Sequence, residues 1–272
     1  MNCFQRKEMK EKRVITLITD FGDKSGYAGV IKGVILTINQ SCQIIDITHQ
    51  ISPQDIEEAA FLLHNTCSYF PKNCVHVVVV DPGVGSERKA ILIETDNYWF
   101  VGPDNGVFSF VFSGKGLKKV WEITNKRYLL PEVSSTFHGR DIFAPIAAHI
   151  SLGVPAEELG KEIKNFVRLK DIEPKVLKGM IKAKVIHIDR FGNLASNISQ
   201  DLFNKVVADK SFSITVGGRK VQKLSLSYTE SEDGEILALF GSSQWLEISL
   251  KDDNCQSALQ VKKGAAIDVH IS

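Results

Sequence analysis

The amino-acid sequence predicts an α/β N-terminal domain with a largely parallel sheet, followed by a smaller, mostly antiparallel, barrel-like β-rich C-terminal domain. Three observations predict it. Strand-like and helical stretches alternate over the first half of the chain, the pattern of an α/β layer. The run Val75-His76-Val77-Val78-Val79-Val80 is too continuous for a half-exposed strand and suits one buried on both faces. From Val176 onward, short alternating apolar stretches follow one another with a single plausible helix. The 272 residues, 43% of them hydrophobic, suffice for one large or two ordinary domains with a proper core.

In chain order, residues 1–13 are polar and unpatterned and read as a disordered extension. The first domain spans residues 14–165. Val14–Thr19 is a buried strand, and after a short polar loop a helix runs from Gly26 to about Asn39. Gln43–Asp46 is strand-like; Ser52 reads as the cap of a second helix with Pro53 in its first turn, and Ile56, Ala59, Ala60 and Leu63 share one face. Short strands at Ala90–Glu94 and Trp99–Val101 and a helix at about Asp141–Leu152 complete the domain. A linker falls around residues 164–175, where charge rises and Pro174 interrupts. The second domain, 176–272, carries strands at Met180–Ile188, Phe212–Val216, Val221–Leu226, Ile236–Phe240, Leu246–Leu250 and Ile267–Ile271, with the one helix near Gln200–Val207.

Composition narrows the function classes. The net charge of +1, from 33 basic and 32 acidic residues, gives no field to attract nucleic acid or an anionic membrane surface. Five cysteines, odd in number and without a C-x-x-C pair, argue against a disulfide framework or structural zinc and favour a reducing, cytoplasmic setting. No run of about eighteen apolar residues occurs, and the charged start lacks the apolar core of a signal peptide. The protein is therefore expected to be neither exported nor membrane-spanning.

In open α/β sheets ligands sit beyond the carboxyl ends of strands, which singles out two clusters. Thr19-Asp20-Phe21-Gly22-Asp23 follows the first strand; Asp20 suits the two hydroxyls of a ribose, while the plainer reading is that Asp20 or Asp23 caps the next helix. Asp81-Pro82-Gly83-Val84-Gly85-Ser86-Glu87-Arg88 follows the valine run. It reads either as a turn with a surface ion pair or as a buried carboxylate awaiting a partner. Neither a complete dinucleotide-binding glycine fingerprint nor a G-x-x-x-x-G-K-[ST] loop is present. A third polar knot, Ser134 to Asp141, holds His138, which can handle a proton near neutrality; the other histidines have no metal-ligand spacing. In the second domain Asp189-Arg190-Phe191-Gly192-Asn193 and Gly241-Ser242-Ser243 read locally as turns.

Together and in this order, Ile18-Thr19-Asp20-Phe21-Gly22, Asp46-Ile47-Thr48-His49 with Pro53 and Asp55, Val80-Asp81-Pro82-Gly83-Val84-Gly85 with Arg88, Gly102-Pro103-Asp104-Asn105-Gly106, Phe137-His138-Gly139-Arg140-Asp141 and Ile188-Asp189 with Phe191-Gly192-Asn193 resemble the S-adenosylmethionine hydroxide adenosyltransferase family. These are hydrolase relatives of the fluorinating and chlorinating enzymes that act on the same substrate. The resemblance runs from about Ile15 to Ile271. It implies hydrolysis of S-adenosyl-L-methionine to adenosine and methionine, without cofactor or metal, by a homotrimer whose active site lies between subunits. It further implies a catalytic set of Asp81, Arg88 and His138. Asp20 would hold the ribose hydroxyls, with Phe21 also among the substrate-binding residues, while Asn193 with Phe191 would meet the adenine, Asp189 the methionine ammonium, and Ser242 with Ser243 its carboxylate.

The departures separate this chain from the halogenating relatives. Their extra loop is missing, since only Thr95-Asp96-Asn97-Tyr98 joins two strands, and the tryptophan, tyrosine and serine they carry near the halide fall here on Gln54, Asp81 and Gly139. Some relatives place an arginine where this chain has Ser243. A halide-dependent, chlorinase-like transferase and a non-catalytic adenosine- or S-adenosylmethionine-binding protein are the two competing readings. In the hydrolase reading the sulfonium leaves as a neutral thioether, so the site's task is to align and activate a water.

Overall fold

The structure, a computed structural model, describes residues 13–113 and 116–272. Residues 1–12 of the predicted extension, and Cys3 with them, lie outside the described residues. Arg13 is anchored: its guanidinium donates to the Ile150 carbonyl at 2.5 Å, and its own carbonyl accepts from the Gln43 amide at 3.2 Å. The chain divides into two compact units, one ending at Leu169 and the other starting at Lys170.

The first unit is built on β1 (Val14–Thr19), α1 (Tyr27–Ile38), β2 (Gln43–Thr48), α2 (Ile56–Cys67), β3 (Val75–Val79), β4 (Ala90–Thr95), β5 (Trp99–Pro103), α3 (Ser109–Ser113), β6 (Leu117–Ile123), α4 (Ala144–Leu152), α5 (Ala156–Leu159) and β7 (Gly160–Glu162). The seven strands form one sheet in the order β2-β1-β3-β5-β4-β6-β7. The first four are parallel, and β4, β6 and β7 extend the sheet antiparallel. One face packs Ile15, Leu17, Val75 and Val77 against Ile31 and Ile35 of α1 and Ile146 and Ala147 of α4. The opposite face packs Ile18, Val78 and Phe100 against Ala59 and Leu63 of α2 and Phe112 of α3. All five residues of β3 are therefore buried, which is why its sequence shows no polar alternation.

Two local expectations are corrected. α2 starts at Ile56 and not at Pro53: Asp55 is its cap, accepting from the Glu58 amide at 2.9 Å, while Gln54 just before it sits at φ 66° and cannot belong to a right-handed helix. The helix expected from Asp141 begins earlier, as one π-helical turn over Gly139–Phe143 that runs into α4.

The second unit contains β8 (Lys175–Leu177), β9 (Met180–Ile188), β10 (Leu194–Ser199), α6 (Gln200–Val207), β11 (Phe212–Val216), β12 (Arg219–Val221), β13 (Ile236–Phe240), β14 (Trp245–Leu250), α7 (Cys255–Leu259) and β15 (Ala266–Ile271). Every pairing is antiparallel, in the order β12-β11-β15-β9-β10-β14-β13, with β8 on β9. β12 and β13, at the two ends of this order, lie against each other, so the sheet nearly closes into a barrel. The strand expected over Val221–Leu226 stops at Val221, and Leu226 beyond it is exposed. A second helix, α7, is capped by Asn254 accepting from the Ser257 amide at 2.8 Å; its five residues are too few to show a helical period in the sequence.

His76 shows how tightly β3 is enclosed. Its Nδ1 pairs with the Thr16 hydroxyl at 2.7 Å and its ring stacks on Phe100, so burial depresses its pKa to about 3. Between that value and the ordinary one of 6.5, the unfolded chain binds a proton that the folded chain refuses. The resulting stability is complete above pH 6.5 and is lost as pH falls toward 3, at about 1.4 kcal/mol per pH unit. Urea unfolding between pH 7 and 4 is expected to show a shallower pH slope in a His76→Phe, Thr16→Val double variant than in the parent; equal slopes would refute this assignment.

Candidate active site

β1 and β3 are parallel neighbours, with Thr19 opposite Val79. The helix that follows β1 packs on one face of the sheet and the helix that precedes β3 packs on the other. The chain thus reverses direction across the sheet between these two strands, which opens a crevice at their carboxyl ends. Asp20 and Asp81 leave the sheet there.

The Asp20 loop is fixed from below. The Thr19 hydroxyl pairs with His49 Nδ1 at 2.8 Å and accepts from the Phe21 amide at 3.3 Å, while the Gly22 amide donates to the His49 carbonyl at 2.8 Å. Neither Asp20 nor Asp23 caps α1, whose cap is Gly26 at φ 71° with no side-chain bond. Instead Asp20 Oδ2 accepts from the Gln54 amide at 2.9 Å, and Asp23 accepts from the Gln50 side-chain amide. The capping alternative for this cluster is thereby removed.

The loop after β3 folds back through a Val84-to-Asp81 turn and a Ser86-to-Gly83 turn, reinforced by the Ser86 hydroxyl on the Gly83 carbonyl at 2.7 Å. Gly85 lies at φ 79°, and a Cβ there would stand 2.3 Å from the Ser135 carbonyl oxygen, so only glycine lets the loop meet the Ser134–His138 segment. The fold-back returns Arg88 to Asp81. Its Nε donates to Asp81 Oδ1 at 2.9 Å and one terminal nitrogen to Oδ2, a bidentate pair. The side chains are 5% and 9% exposed, so this is not the weak surface pair the sequence also allowed. The same terminal nitrogen lies 2.6 Å from His138 Nδ1, and the guanidinium carbon sits 5.3 Å above the Phe143 ring.

The segment that carries His138 is anchored on a buried acid. Asp141, fully buried, accepts from the amide and hydroxyl of Ser134, each at 2.8 Å, and from Arg140 Nε at 2.5 Å. Burial raises the Asp141 carboxyl pKa, but the hydrogen bonds from Arg140 and Ser134 outweigh it and leave the group below its ordinary value. Arginine can only donate, so His138 Nδ1 is an acceptor and the neutral ring carries its proton on Nε2. Burial and then the Arg88 charge lower the His138 pKa, against the opposing pull of Asp81, Asp141 and the Ser134 carbonyl.

Asp20, Phe21, Asp81 and His138 line one cleft of about 260 Å³ with Gln54, Val79, Pro82, Val84, Thr136, Phe137 and Gly139. Arg88 is not among the lining groups; it braces two of them. Phe137 and Thr136 adjoin His138 in the sequence, and that adjacency was the available signal for them. Tyr27, half exposed, was not foreseeable: its ring packs edge-on against Phe21 and Phe137, at 5.7 and 5.1 Å.

The remaining predicted residues belong to the second unit. Asp189 Oδ1 accepts from the amides of Phe191 and Asn193 and Oδ2 from the Asn193 side chain, all at 2.9 Å, so this carboxylate organises its own turn. Phe191 is 77% exposed at its tip. Ser242 and Ser243 are exposed in the β13–β14 turn. The β10–β14 register puts the two turns at opposite ends of that strand pair. Among the described residues no group of three or more His, Cys, Asp or Glu side chains is arranged to hold a metal, and no helix is long and apolar enough to cross a membrane.

A small cleft lined by two carboxylates and an imidazole, one carboxylate clamped by a guanidinium, offers polar groups of the kind that hold a hydroxyl or a water. Comparison with known proteins identifies the family. Residues 15–160 match the SAM hydroxide adenosyltransferase N-terminal domain and residues 183–268 its C-terminal domain. A protein of Methanocaldococcus jannaschii named (R)-S-adenosyl-L-methionine hydrolase is 39% identical, with 96% of each chain covered. A Thermus thermophilus protein of the same name is 32% identical over 94% of this chain and 98% of its own. Enzymes named fluorinase match at 20–25% identity. The crystal structure of a conserved protein from Thermotoga maritima, 38% identical, superposes with a TM-score of 0.87 over 94% of this chain and 99% of its own.

Nitrogen NMR of ring-labelled protein at pH 7 is expected to show His138 neutral, protonated on Nε2, with a titration midpoint below 6.5. A proton found on Nδ1 at pH 7 would contradict the donor assignment.

Proposed function

Since the chain belongs to the SAM hydroxide adenosyltransferase family, we propose that the cleft is where it hydrolyses S-adenosyl-L-methionine to adenosine and L-methionine, with Asp81, Arg88 and His138 as the catalytic set. The observation that carries this reading is the buried bidentate Asp81–Arg88 pair extended onto His138 Nδ1. The water oxygen forms its bond to C5′ as the C5′–S bond breaks. Sulfur leaves with the bonding electrons as the neutral thioether of methionine, and the water's proton passes to the protein and then to solvent.

Asp81 is the proton acceptor in this scheme. The only acceptor nitrogen of His138 is taken by Arg88, whereas a carboxylate has about four lone-pair sites and Arg88 occupies two of them. His138, which lines the cleft beside Asp81, orients the water. Arg88 holds the Asp81 oxygens aimed, supplying oriented electrostatics in a partly desolvated site. Asp20 receives the ribose hydroxyls beside Phe21. Asn193 and Phe191 meet the adenine, Asp189 the ammonium, and Ser242 with Ser243 the carboxylate. The hydrogen bonds Asp189 already makes within its turn also give it the task of presenting Asn193.

The proposal includes a homotrimer that brings a second subunit to the cleft, a reaction needing neither metal nor cofactor, no nucleic-acid partner, and a reducing cytoplasmic setting. The near-zero net charge supports the third of these and the free Cys42, Cys67, Cys74 and Cys255 the last. The connection between β4 and β5 is a tight turn closed by the Thr95 amide on the Tyr98 carbonyl at 3.0 Å, and its lack of the halogenases' extra loop favours water over halide.

Purified protein with S-adenosylmethionine and EDTA is expected to release adenosine carrying ¹⁸O from labelled water, and no 5′-chloro-5′-deoxyadenosine in chloride. Absence of adenosine with either sulfonium epimer refutes the reading. Arg88→Ala is expected to slow single-turnover release by on the order of 100-fold or more, measured on protein confirmed folded, because it leaves a buried carboxylate unpaired at a cost of about 3–5 kcal/mol. Sedimentation is expected to give three times the chain mass of 30.2 kDa.

A further inference from the structure

The catalytic loop begins after Val80 and ends before Lys89, and both of these flanking carbonyls are held by one neighbouring loop. Asn105 Nδ2 donates to the Val80 carbonyl at 2.8 Å, and the Asp104 amide donates to the Lys89 carbonyl at 2.9 Å. The Lys89 carbonyl also accepts from Arg88 Nη1 at 3.3 Å, so it is shared between the clamp and the catalytic guanidinium. The clamp is itself braced. Asn105 Oδ1 accepts from the Val107 amide at 3.2 Å, and the buried Asp104 carboxylate accepts from the Val167 amide at 2.8 Å. Gly106 lies at φ 99° under Leu169, and the Ser109 hydroxyl accepts from the Leu169 amide at 2.7 Å.

We infer that Asn105 is a positioning residue for the reaction: its side-chain amide fixes the strand end from which Asp81 projects, and with the Asp104 amide it sets the span of the loop that returns Arg88 to Asp81. This inference rests on the functional reading above. The physical argument is one of leverage. Asp81 follows Val80 directly, so a loosened Val80 carbonyl turns the peptide that aims the carboxylate, and Arg88 must then track a moving partner while still reaching His138. Displacements of about 1 Å in such constellations cost up to about 100-fold in rate. Asn105 lies outside the cleft lining and its loss removes no group that would touch substrate.

Two variants test this. Asn105→Ala removes both of its bonds, whereas Asn105→Asp keeps the Oδ1 acceptor for Val107 and loses only the donor to Val80. Both are expected to lower kcat roughly 10-fold or more while KM for S-adenosylmethionine changes by less than about threefold. Both are also expected to move the His138 midpoint up toward 6.5, because the guanidinium is no longer pinned beside it. That midpoint reads the geometry without any turnover. If the parent enzyme fails to make adenosine, the functional reading falls while the midpoint still judges the clamp. Full activity with an unshifted midpoint in both variants overturns the inference. So does a defect seen in the alanine variant alone, which would confine Asn105 to its own turn, or a loss of folding in both, which would make it a general support of the sheet.

Discussion

The guanidinium of Arg88 is the centre on which the site depends. It is nearly buried, and its donors go to both Asp81 oxygens, to His138 Nδ1 and to the Lys89 carbonyl. A cation in that position is tolerable only because each of these acceptors is in place. The same bonds decide the geometry of its neighbours: the carboxylate oxygens are aimed and the imidazole is held to one tautomer. Neither effect belongs to any of the three residues alone.

The sheet makes this arrangement possible. Parallel pairing of β1 with β3 delivers Asp20 and Asp81 to the same edge, and the reversal of direction between those strands leaves the edge uncovered by either flanking helix. The walls are then completed by segments far away in the chain. The π-helical turn after His138 takes one extra residue per turn, and it buries Asp141 while presenting His138 and Gly139 to the cleft. Gly85 lets two loops approach to backbone contact. The opening is flanked by a cluster of three aromatic rings, Phe21, Tyr27 and Phe137.

The second unit has a different economy. Its polar candidates stand on turns at the ends of strands, and each turn is closed internally: the first by three hydrogen bonds to Asp189 and the close approach of the Asn254 side chain to Gly192, the second by the Gln244 amide on the Gly241 carbonyl at 2.8 Å. Between the two turns Tyr228 donates to Glu247 at 2.6 Å, and burial with the neighbouring Glu247 and Asp189 charges raises its phenol pKa. The near-closed barrel thus carries its polar turns already hydrogen-bonded, with Phe191 exposed beside one of them.

By itself the sequence determined the α/β-then-β order of the chain, the buried character of β3, the extents of α1 and α6, and the identity of Asp20, Asp81 and His138 as candidates, to which the family resemblance added Arg88. These follow from patterns local to a few residues: hydrophobic period, caps, and polar groups placed just after strands. The start of α2 was misplaced because Ser52-Pro53 and Asp55 offer equally good caps, and only the left-handed Gln54 chooses between them. Tertiary structure alone decided that Asp81 and Arg88 form a buried bidentate pair, that His138 accepts from Arg88, that Asp20 binds the Gln54 amide without capping α1, and that Asn105 holds the strand end behind Asp81. Each of these is a contact between residues distant in the chain or folded back by a specific loop, and its sign depends on which atom donates to which. Composition and spacing carry no information about that; only the packed backbone does.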